Sequence, residues 1–330
     1  MSLHSAFVAF LLLFISSNSF AGHLFDVLQR MTDADQQQNY QGTFILRKSD
    51  DLSTLRVTHG SDDNGVWESL EALNGEPRKI VRRDNKVISV FPNRELVIIR
   101  SNAKKQPLHW QLPENISQLE SSYSIKQLAD DRIANHPALV VDLIPNDKFR
   151  YGYRYWIDKN TGMLLRCDLV NENNKVVEQM MFTSLNYLAQ PPPSSFDLEQ
   201  FQDYKQQLLD EPETRAEHST PLQWKVNELP EGFVLTQSTM RYSQLSGAQN
   251  ADDQKQRKPD LLHLVYSDGL ASVSVFIEKN EGIEKHLNGV SSMGAVNAFG
   301  NPVGDYFVTV VGEVPVQTVR SMAQSTVRLP

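Results

Sequence analysis

The residue types that perform most enzyme chemistry are present in this chain, but their spacing does not predict an active site. Eight histidines are spread over 330 residues, and no two of them have the spacing of metal ligands. The sequence has no H-E-x-x-H, no paired cysteines and no G-x-G-x-x-G. Residues 289–293 (GVSSM) resemble a nucleophile elbow but lack its second glycine. We therefore expect a protein that is not an enzyme and that uses no metal or cofactor.

The single cysteine, Cys167, alternates in register with the apolar residues Met163, Leu165 and Leu169. Residues two apart lie on the same face of a strand, so this spacing predicts a buried strand face. We interpret Cys167 as a small buried hydrophobic residue rather than a redox group. An exported chain of this size without a disulfide is more typical of a Gram-negative periplasm than of a eukaryotic secretory route.

The most informative stretch is residues 149–158 (FRYGYRYWID), in which aromatic residues alternate with arginine and glycine. In a strand, the four aromatic residues from Phe149 to Tyr155 share one face, whereas Arg154 and Trp156 face the other way. Two interpretations stay open: the aromatic side chains fill a core, or they line an apolar cavity inside a curved sheet. Burying an acyl chain of about a dozen methylenes there would yield on the order of 10 kcal/mol, at ~0.8 kcal/mol per methylene.

The elements that must position these residues are mostly β-strands. From Tyr40 to Tyr187 the hydrophobic period is two, and turn residues recur about every ten residues. A sheet of about eleven strands must curl. An amphipathic helix is predicted at His23–Gln37, because its apolar residues recur at helical spacing. The predicted fold is therefore α+β but mainly β, with an N-terminal curved antiparallel half-barrel covered by helices.

The second half of the chain predicts a further, smaller domain. Residues 190–195 (QPPPSS) predict an extended linker, and a helix is expected over residues 201–209. New strands begin near Pro221, one of them predicted at residues 293–299, and a closing helix is predicted after Pro315. We expect three regions after the leader: a half-barrel domain at 22–190, a linker at 191–220 and an α+β C-terminal domain at 221–330.

The N-terminus predicts export. Residues 6–15 (AFVAFLLLFI) form an unbroken apolar run, too short for a membrane span, which needs about 20 residues. Ser19-Phe20-Ala21 places small side chains where a signal peptidase reads them. We predict a signal peptide at 1–21, cleaved after Ala21, and a soluble periplasmic product. Because Gly22 rather than cysteine follows the cut, no lipid anchor is expected. The net charge of −8 argues against a nucleic-acid partner.

Several segments in a fixed order resemble one known family, the RseB/MucB periplasmic negative regulators of the envelope-stress sigma factor sigma-E. The similarity covers essentially the whole chain after the leader. The segments are residues 40–44 (YQGTF), 68–78 (ESLEALNGEPR), 149–158 with Thr161-Gly162 after it, Trp224 with 229–233 (LPEGF), and 308–315 (VTVVGEVP).

The resemblance implies both a fold and a function. It implies an N-terminal domain like the lipoprotein carriers LolA and LolB, and a C-terminal domain that helps to bind the periplasmic domain of the anti-sigma factor RseA. Family members bound in this way shield RseA from the protease DegS. Lipopolysaccharide, or the lipid of mislocalised lipoproteins, then occupies the half-barrel and releases RseA.

Two groups of site residues are predicted on this basis. For the lipid cavity they are Phe44, Leu70, Phe91, Trp110, Tyr153 and Trp156. For contact with RseA they are Phe233, Tyr242, Phe299 and Tyr306. A periplasmic lipid or lipoprotein carrier is the alternative function, although a second domain with its own core counts against a pure shuttle. An uncharacterised hydrolase is a third class, and a homo-oligomer is left open.

Overall fold

The structure is a computed structural model, and it describes most of the chain after the apolar N-terminal run. The described residues are 17–62, 65–83, 85–101, 112, 116–192, 199–210, 223–241, 261–280 and 289–329. The apolar run of the predicted signal peptide, residues 6–15, lies outside them. Across these described ranges, no helix is both long and apolar enough to cross a membrane.

Thirteen described strands form one large curved sheet that does not close into a barrel. Their order is β13-β6-β5-β4-β3-β2-β1-β12-β11-β10-β9-β7, and β8 pairs with β9. The predicted antiparallel meander and the curled, mainly β architecture are confirmed. The strands are β1 Tyr40–Lys48, β2 Asp51–Asp62, β3 Gly65–Ala72, β4 Lys79–Arg83, β5 Lys86–Phe91, β6 Leu96–Ser101, β7 Tyr123–Gln127, β8 Asp131–Ile133, β9 His136–Pro145, β10 Gly152–Asp158, β11 Leu164–Val170, β12 Val176–Tyr187 and β13 Lys205–Asp210.

One face of this sheet, which we call the inner face, carries the main hydrophobic core. Residues directly opposite each other in an antiparallel pair point to the same side. Phe44 on β1 is therefore on the same face as Leu55 on β2. Met180, Cys167 and Tyr155 form a similar row across β12, β11 and β10. All five side chains are buried in one core.

Helix α1, Ser17–Gln37, packs its apolar side against this inner face. The buried residues recur three and four positions apart, which places them on one stripe of the helix. Residue Ile116 begins a short 3₁₀ helix, Ile116–Leu119, that contacts α1 and adds Leu119 to the same core. The helix predicted at His23–Gln37 is confirmed. Its buried apolar residues are Leu24, Val27, Leu28 and Met31.

The opposite face, which we call the outer face, carries ion pairs within and between strands. Arg154 on β10 binds Asp142 on β9 through two guanidinium nitrogens. Arg166 on β11 donates to Asp168 at 2.6 Å. Its guanidinium carbon also lies 4.0 Å from the Trp156 ring centre. Along Tyr153, Arg154 and Tyr155, the alternation of β10 therefore places aromatic rings on the inner face and a charged group on the outer face.

Strand β13 corrects one sequence prediction, because residues 205–209 are extended rather than helical. The strand pairs in parallel with β6 and forms one edge of the sheet. Just before it, Phe201 and Tyr204 cover a small apolar cluster on the outer face of β5 and β6. This tertiary contact, which the local sequence pattern does not contain, outweighs the weak helical spacing. The cluster consists of Ile88, Val90, Val97 and Ile99.

A second sheet of six described strands lies in the C-terminal part, with the order β15-β16-β17-β20-β19-β18. Beside it, β14 and β21 form a two-stranded pair. Helix α2, Val316–Gln324, packs into the core of the six-stranded sheet. The closing helix predicted after Pro315 is therefore confirmed. The strands are β14 Trp224–Val226, β15 Val234–Arg241, β16 Leu261–Ser267, β17 Ser272–Lys279, β18 Gly289–Met293, β19 Val296–Val303, β20 Tyr306–Gly312 and β21 Thr326–Arg328.

The prediction of one strand over residues 293–299 is wrong in its first half. A hairpin turn separates β18 from β19 there, and Gly294 adopts a φ of +62°. Glycine reaches this left-handed region without the steric cost that a side chain imposes. The apolar residues on either side of the turn concealed it in the sequence pattern.

Candidate functional site

The inner face is built around an aromatic cluster on β10. Tyr153 and Tyr155 are stacked with ring centres 6.0 Å apart and an angle of 6° between their planes. Tyr123 on β7 adds a third ring, 6.4 Å from Tyr153. On the other side of the core, Phe44 and Phe182 lie 5.6 Å apart in an edge-on arrangement. The aromatic residues thus fill the core beneath α1 with their own side chains.

Two groups in this cluster are polar but fully withdrawn from water. The Tyr155 hydroxyl has no hydrogen-bond partner among the described residues. Burial raises the pKa of Tyr155 well above its ordinary value, and the neighbouring Cys167 and Tyr123 add to the shift. Burial likewise raises the pKa of the Cys167 thiol. A thiol held in its neutral form is a poor nucleophile, which agrees with a packing role for Cys167.

A second part of the inner face, on β3 to β6, is less covered. By register, Leu70 on β3 is opposite Ile80 on β4, and the row continues through Ser89 on β5 to Ile98 on β6. Leu70, Ile80 and Ile98 are only half-buried, and so is Phe91 farther along β5. We call this row, together with Phe91, the open part of the inner face. The region beneath α1 is the covered part.

The structure places four of the six residues predicted for the lipid cavity on the inner face, in two separate parts of it. Phe44 and Tyr153 lie in the covered part, and Leu70 and Phe91 lie in the open part. Trp156 lies on the opposite face by strand alternation, and it is buried as well. There its indole nitrogen donates to Asp131 at 2.9 Å. Trp110, the sixth residue, lies outside the described residues.

A buried ionic junction connects the two sheets. Arg150, whose side chain is fully buried, follows β9 and precedes β10. Its Nη1 donates to Asp268 in the β16–β17 turn at 2.5 Å, and its Nη2 donates to the Glu231 carbonyl oxygen at 2.5 Å. Its Nη2 also donates to Asp147 in its own loop at 2.8 Å. The guanidinium therefore has partners on both sides of the junction.

Two aromatic rings complete the surroundings of Arg150. Its guanidinium carbon lies 5.1 Å from the Phe233 ring centre and 5.7 Å from that of Tyr123. Burial lowers the pKa of Arg150, but the hydrogen bonds to Asp147 and the charge of Asp268 outweigh it and raise the pKa above its usual value. Arginine suits this position because its planar guanidinium stacks on rings while donating in several directions.

Further contacts extend the junction on both sides of Arg150. Asn297 on β19 donates to the Tyr151 hydroxyl at 3.0 Å, and Thr318 on α2 donates to the Phe149 carbonyl oxygen at 2.6 Å. Ala295, in the β18–β19 turn, is fully buried in the core of the first sheet. The second sheet is therefore attached to the segment that precedes β10 and to the inner core itself.

The residues predicted to contact the anti-sigma factor occupy different environments. Phe233 belongs to the junction and is buried. Phe299 and Tyr306 are half-buried against the core of the second sheet. Each of them has an arginine near its ring, Arg320 for Phe299 and Arg328 for Tyr306. Tyr242 lies outside the described residues.

A cavity of about 530 Å³ lies beside the junction. Arg150 and Tyr153 both contribute to its lining, together with the outer-face residues Asp142 and Arg154 and the exposed Ile144. It therefore mixes charged and apolar surface at the beginning of β10. The cavity was not predicted from the sequence, because its walls come from separate segments of the chain, residues 142–154 and 170–174.

A polar cluster at the far end of β10 was also not predicted. The Tyr187 hydroxyl donates to Asp158 at 2.7 Å and lies 2.7 Å from the Thr161 hydroxyl. His136 places Nδ1 3.2 Å from the same Asp158 carboxylate and Nε2 3.1 Å from the Leu185 carbonyl oxygen. The cluster ties β9, β10 and β12 together. No group of side chains suited to a metal ion occurs among the described residues.

The fold and the site define a mainly β protein of two parts, in which a half-covered curved sheet is joined to a smaller sheet by a buried ionic junction. Comparison with known proteins identifies the family. The MucB/RseB N-terminal domain model matches residues 24–202, and the MucB/RseB C-terminal domain model matches residues 218–327. The chain belongs to the MucB/RseB family, as its sequence segments predicted.

Individual relatives agree over nearly their whole length. The sigma factor AlgU regulatory protein MucB of Pseudomonas aeruginosa is 32% identical over 312 residues, covering 91% of this chain and 89% of that protein. The sigma-E factor regulatory protein RseB of Haemophilus influenzae is 27% identical, covering 90% and 89%. The structure of the Pseudomonas aeruginosa MucA/MucB complex matches with a TM-score of 0.66 and 30% identity, covering 92% of this chain and 98% of the matched chain.

Proposed function

We propose that this chain is a periplasmic negative regulator of a sigma-E-type envelope-stress sigma factor. It binds the periplasmic domain of an anti-sigma factor of the RseA/MucA type and shields it from cleavage by DegS. The observation that carries this proposal is that the similarity to sigma-factor regulators runs through both halves of the chain. A similar solved structure is a complex with MucA, which supports the choice of partner.

The proposed regulator acts outside the cytoplasm. The signal peptide is removed after Ala21, which leaves a chain that begins at Gly22 and carries no lipid anchor. It acts by binding and not by catalysis, and it requires no metal or cofactor. Its position at the inner membrane then comes from the anti-sigma factor to which it binds.

The lipid signal is proposed to act on the inner face. The open part presents Leu70, Ile80, Ile98 and Phe91, which are half-buried in the described structure. Burying apolar surface contributes roughly 25 cal/mol per Å², so an acyl chain laid along this row has a substantial driving force. Lipopolysaccharide or the acyl groups of a mislocalised lipoprotein supply such chains, and their binding releases the anti-sigma factor.

The test is a binding and cleavage experiment with purified components. The chain without its signal peptide is mixed with the periplasmic segment of the RseA/MucA-type protein of the same organism, and binding is measured by calorimetry. Cleavage of that segment by DegS is then followed with and without the chain. We expect a stable complex and slower cleavage, and addition of lipopolysaccharide should reverse both effects.

The possible results separate the parts of the proposal. If the anti-sigma segment does not bind, the regulatory function is wrong. If it binds and lipopolysaccharide changes neither the affinity nor the cleavage rate, regulation stands and only lipid sensing is lost.

A lipid or lipoprotein carrier is the alternative function, because the open part of the inner face would serve a carrier equally well. A carrier must release its cargo to an acceptor. The discriminating measurement follows a fluorescent acyl lipid from the loaded chain to acceptor vesicles. Transfer faster than spontaneous lipid release favours the carrier, whereas retention of the lipid until the anti-sigma segment is added favours the regulator.

A further inference from the structure

The contacts of Arg150 form a compact unit between the two sheets. We call this unit the Arg150 clamp. Two carboxylates and one backbone carbonyl accept its hydrogen bonds, and two aromatic rings flank its guanidinium. It comprises Arg150, Asp147 and Tyr123 from the first sheet, and Asp268, the Glu231 carbonyl and Phe233 from the second.

We propose that the Arg150 clamp is a positioning device that fixes the orientation of the second sheet relative to the first, and that Tyr123 makes this orientation depend on what fills the inner face. The proposal rests on the proposed function, because it describes how lipid bound on the inner face would weaken the binding of a partner that contacts both sheets.

The clamp fixes one orientation because its charges are fully withdrawn from water. The side chains of Arg150 and Asp268 are both completely buried. A buried ion pair is favourable only when its geometry is good and its remaining donors and acceptors are satisfied. A small displacement of one sheet would separate the pair and leave the buried Asp268 carboxylate without its cation, while Arg150 would keep only Asp147. The sheets therefore move only if the clamp opens to water as a unit.

The space around the clamp leaves little freedom for an alternative packing. Gly232, between Glu231 and Phe233, has a φ of +81°, and a Cβ placed there would lie 2.6 Å from the Ser122 hydroxyl oxygen. The backbone of the second sheet thus approaches the first as closely as a glycine permits. Asp268 is held in turn, because its Oδ1 accepts the amides of Leu270 and Ala271.

Tyr123 connects the clamp to the inner face. One side of its ring faces the guanidinium of Arg150, and it also contacts Tyr153, which is stacked on Tyr155. Burial raises the pKa of Tyr123 well above its ordinary value, and the Asp268 carboxylate adds to the shift, so this ring shares the environment of the ion pair. A ligand that displaces Tyr153 therefore moves a ring that packs against Arg150.

The cavity beside the junction lies next to both groups, since Arg150 and Tyr153 both contribute to its lining. Coupling between the two regions is measured as a change in one region when the other is altered.

The test measures the distance between the two sheets directly. Spin labels are attached to cysteines introduced at Lys86→Cys on β5 and Lys279→Cys on β17, both of which are exposed. The native Cys167 is fully buried and will not react with the label. Pulsed electron paramagnetic resonance then gives the distribution of inter-label distances in the full chain. Arg150→Ala, Arg150→Lys and Asp268→Asn are compared with Arg154→Ala, which removes an ion pair of similar geometry within one sheet.

The expected result is a narrow distribution in the parent and in Arg154→Ala, and a broad or shifted one in the three clamp variants. Affinity for the anti-sigma segment should fall about tenfold in the clamp variants, a usual size for coupling between sites. The clamp is refuted if folded Asp268→Asn and folded Arg150→Lys both keep the parent distribution. These two conservative variants decide the matter if Arg150→Ala does not fold.

Lipopolysaccharide is the probe for the role of Tyr123. It should broaden the distribution in the parent, and it should bind Tyr123→Leu without broadening the distribution. Equal broadening in parent and variant overturns the role of Tyr123. If the parent does not bind lipopolysaccharide, that role fails together with lipid sensing. The clamp itself is still decided by the distances measured without lipid, and the regulatory function by the binding of the anti-sigma segment.

Discussion

The covered and open parts of the inner face belong to one sheet but use apolar side chains differently. In the covered part, α1 and the aromatic residues of β10 bury the apolar side chains of the inner face. In the open part, the row from Leu70 to Ile98 keeps some of its apolar surface accessible. Buried apolar area stabilises the fold, whereas accessible apolar area is free to stabilise a complex. The difference assigns stability to one part and recognition to the other.

The largest effect is expected from a truncation in the covered part. Phe182→Ala removes a buried ring that contacts Phe44 and Tyr40. It should lower the free energy of unfolding by about 3–5 kcal/mol, because a cavity is left in a packed core. Chemical denaturation followed by circular dichroism measures this loss. A change below about 1 kcal/mol would mean that the core closes over the gap, and that the covered part is not rigidly packed.

A charge in the open part should change binding more than stability. Leu70→Asp places a carboxylate in the row that we assign to acyl chains, and we expect a loss of lipid affinity of about tenfold or more, from burial worth roughly 1.5–3 kcal/mol. Fluorescence titration with a labelled acyl lipid gives the affinity. The control is Leu208→Asp on β13, an exposed residue paired with Ile99 of the outer face. Equal losses in both variants would remove the distinction between the two parts.

Two tyrosines test whether polar atoms in the covered part contribute to stability. Tyr155→Phe removes a hydroxyl without a described partner, so it should leave the free energy of unfolding unchanged or raise it by up to ~1 kcal/mol. Tyr187→Phe removes a hydroxyl that donates to Asp158, and it should lower that free energy by about 1–3 kcal/mol. Thermal unfolding of both variants provides the comparison. A clear loss in Tyr155→Phe would point to a partner for its hydroxyl.

The smallest effect is expected on the outer face, at Asp131. A backbone hydrogen bond from Arg132 and the indole hydrogen bond from Trp156 lower the pKa of Asp131. A lowered pKa in the folded state stabilises the protein above the unfolded value of ~3.9, and this contribution is lost as the pH falls through the folded value. Asp131→Asn should therefore cost under ~1 kcal/mol at neutral pH, with the difference shrinking below about pH 4. A cost that does not depend on pH would assign the effect to hydrogen-bond geometry rather than to the charge of Asp131.

Much of the first sheet could be predicted from the sequence, because its strands alternate strictly and are separated by polar turns. The parity of β10 was read correctly as well, with Tyr153 and Tyr155 on one face and Trp156 on the other. Strand β13 was missed because its conformation depends on pairing with β6, which lies more than a hundred residues earlier. Local pattern does not encode such a partner.

The junction was beyond prediction for a similar reason. Arg150 and Asp268 are separated by 118 positions, and neither belongs to a motif. Sequence reasoning placed Arg150 in the alternating pattern of the β10 strand, whereas it lies just before that strand and faces the other sheet. The sequence did contain one indication, because an arginine and a glycine among aromatic residues are unusual in a strand that only fills a core. This pattern indicates that Arg150 has a role besides core packing, but it does not identify Asp268 as its partner.

The pairing of β1 with β12 has a consequence for how the chain acquires its structure. Thr183 on β12 donates to the Thr43 carbonyl oxygen, 140 positions away, and Ala295 completes the same core from a hairpin farther on. Contacts between such distant segments slow folding, since a long loop must close before they form. During synthesis, β1 therefore keeps the edge that pairs with β12 unpaired until β12 has been made. This delay favours a chain that folds after its synthesis is finished.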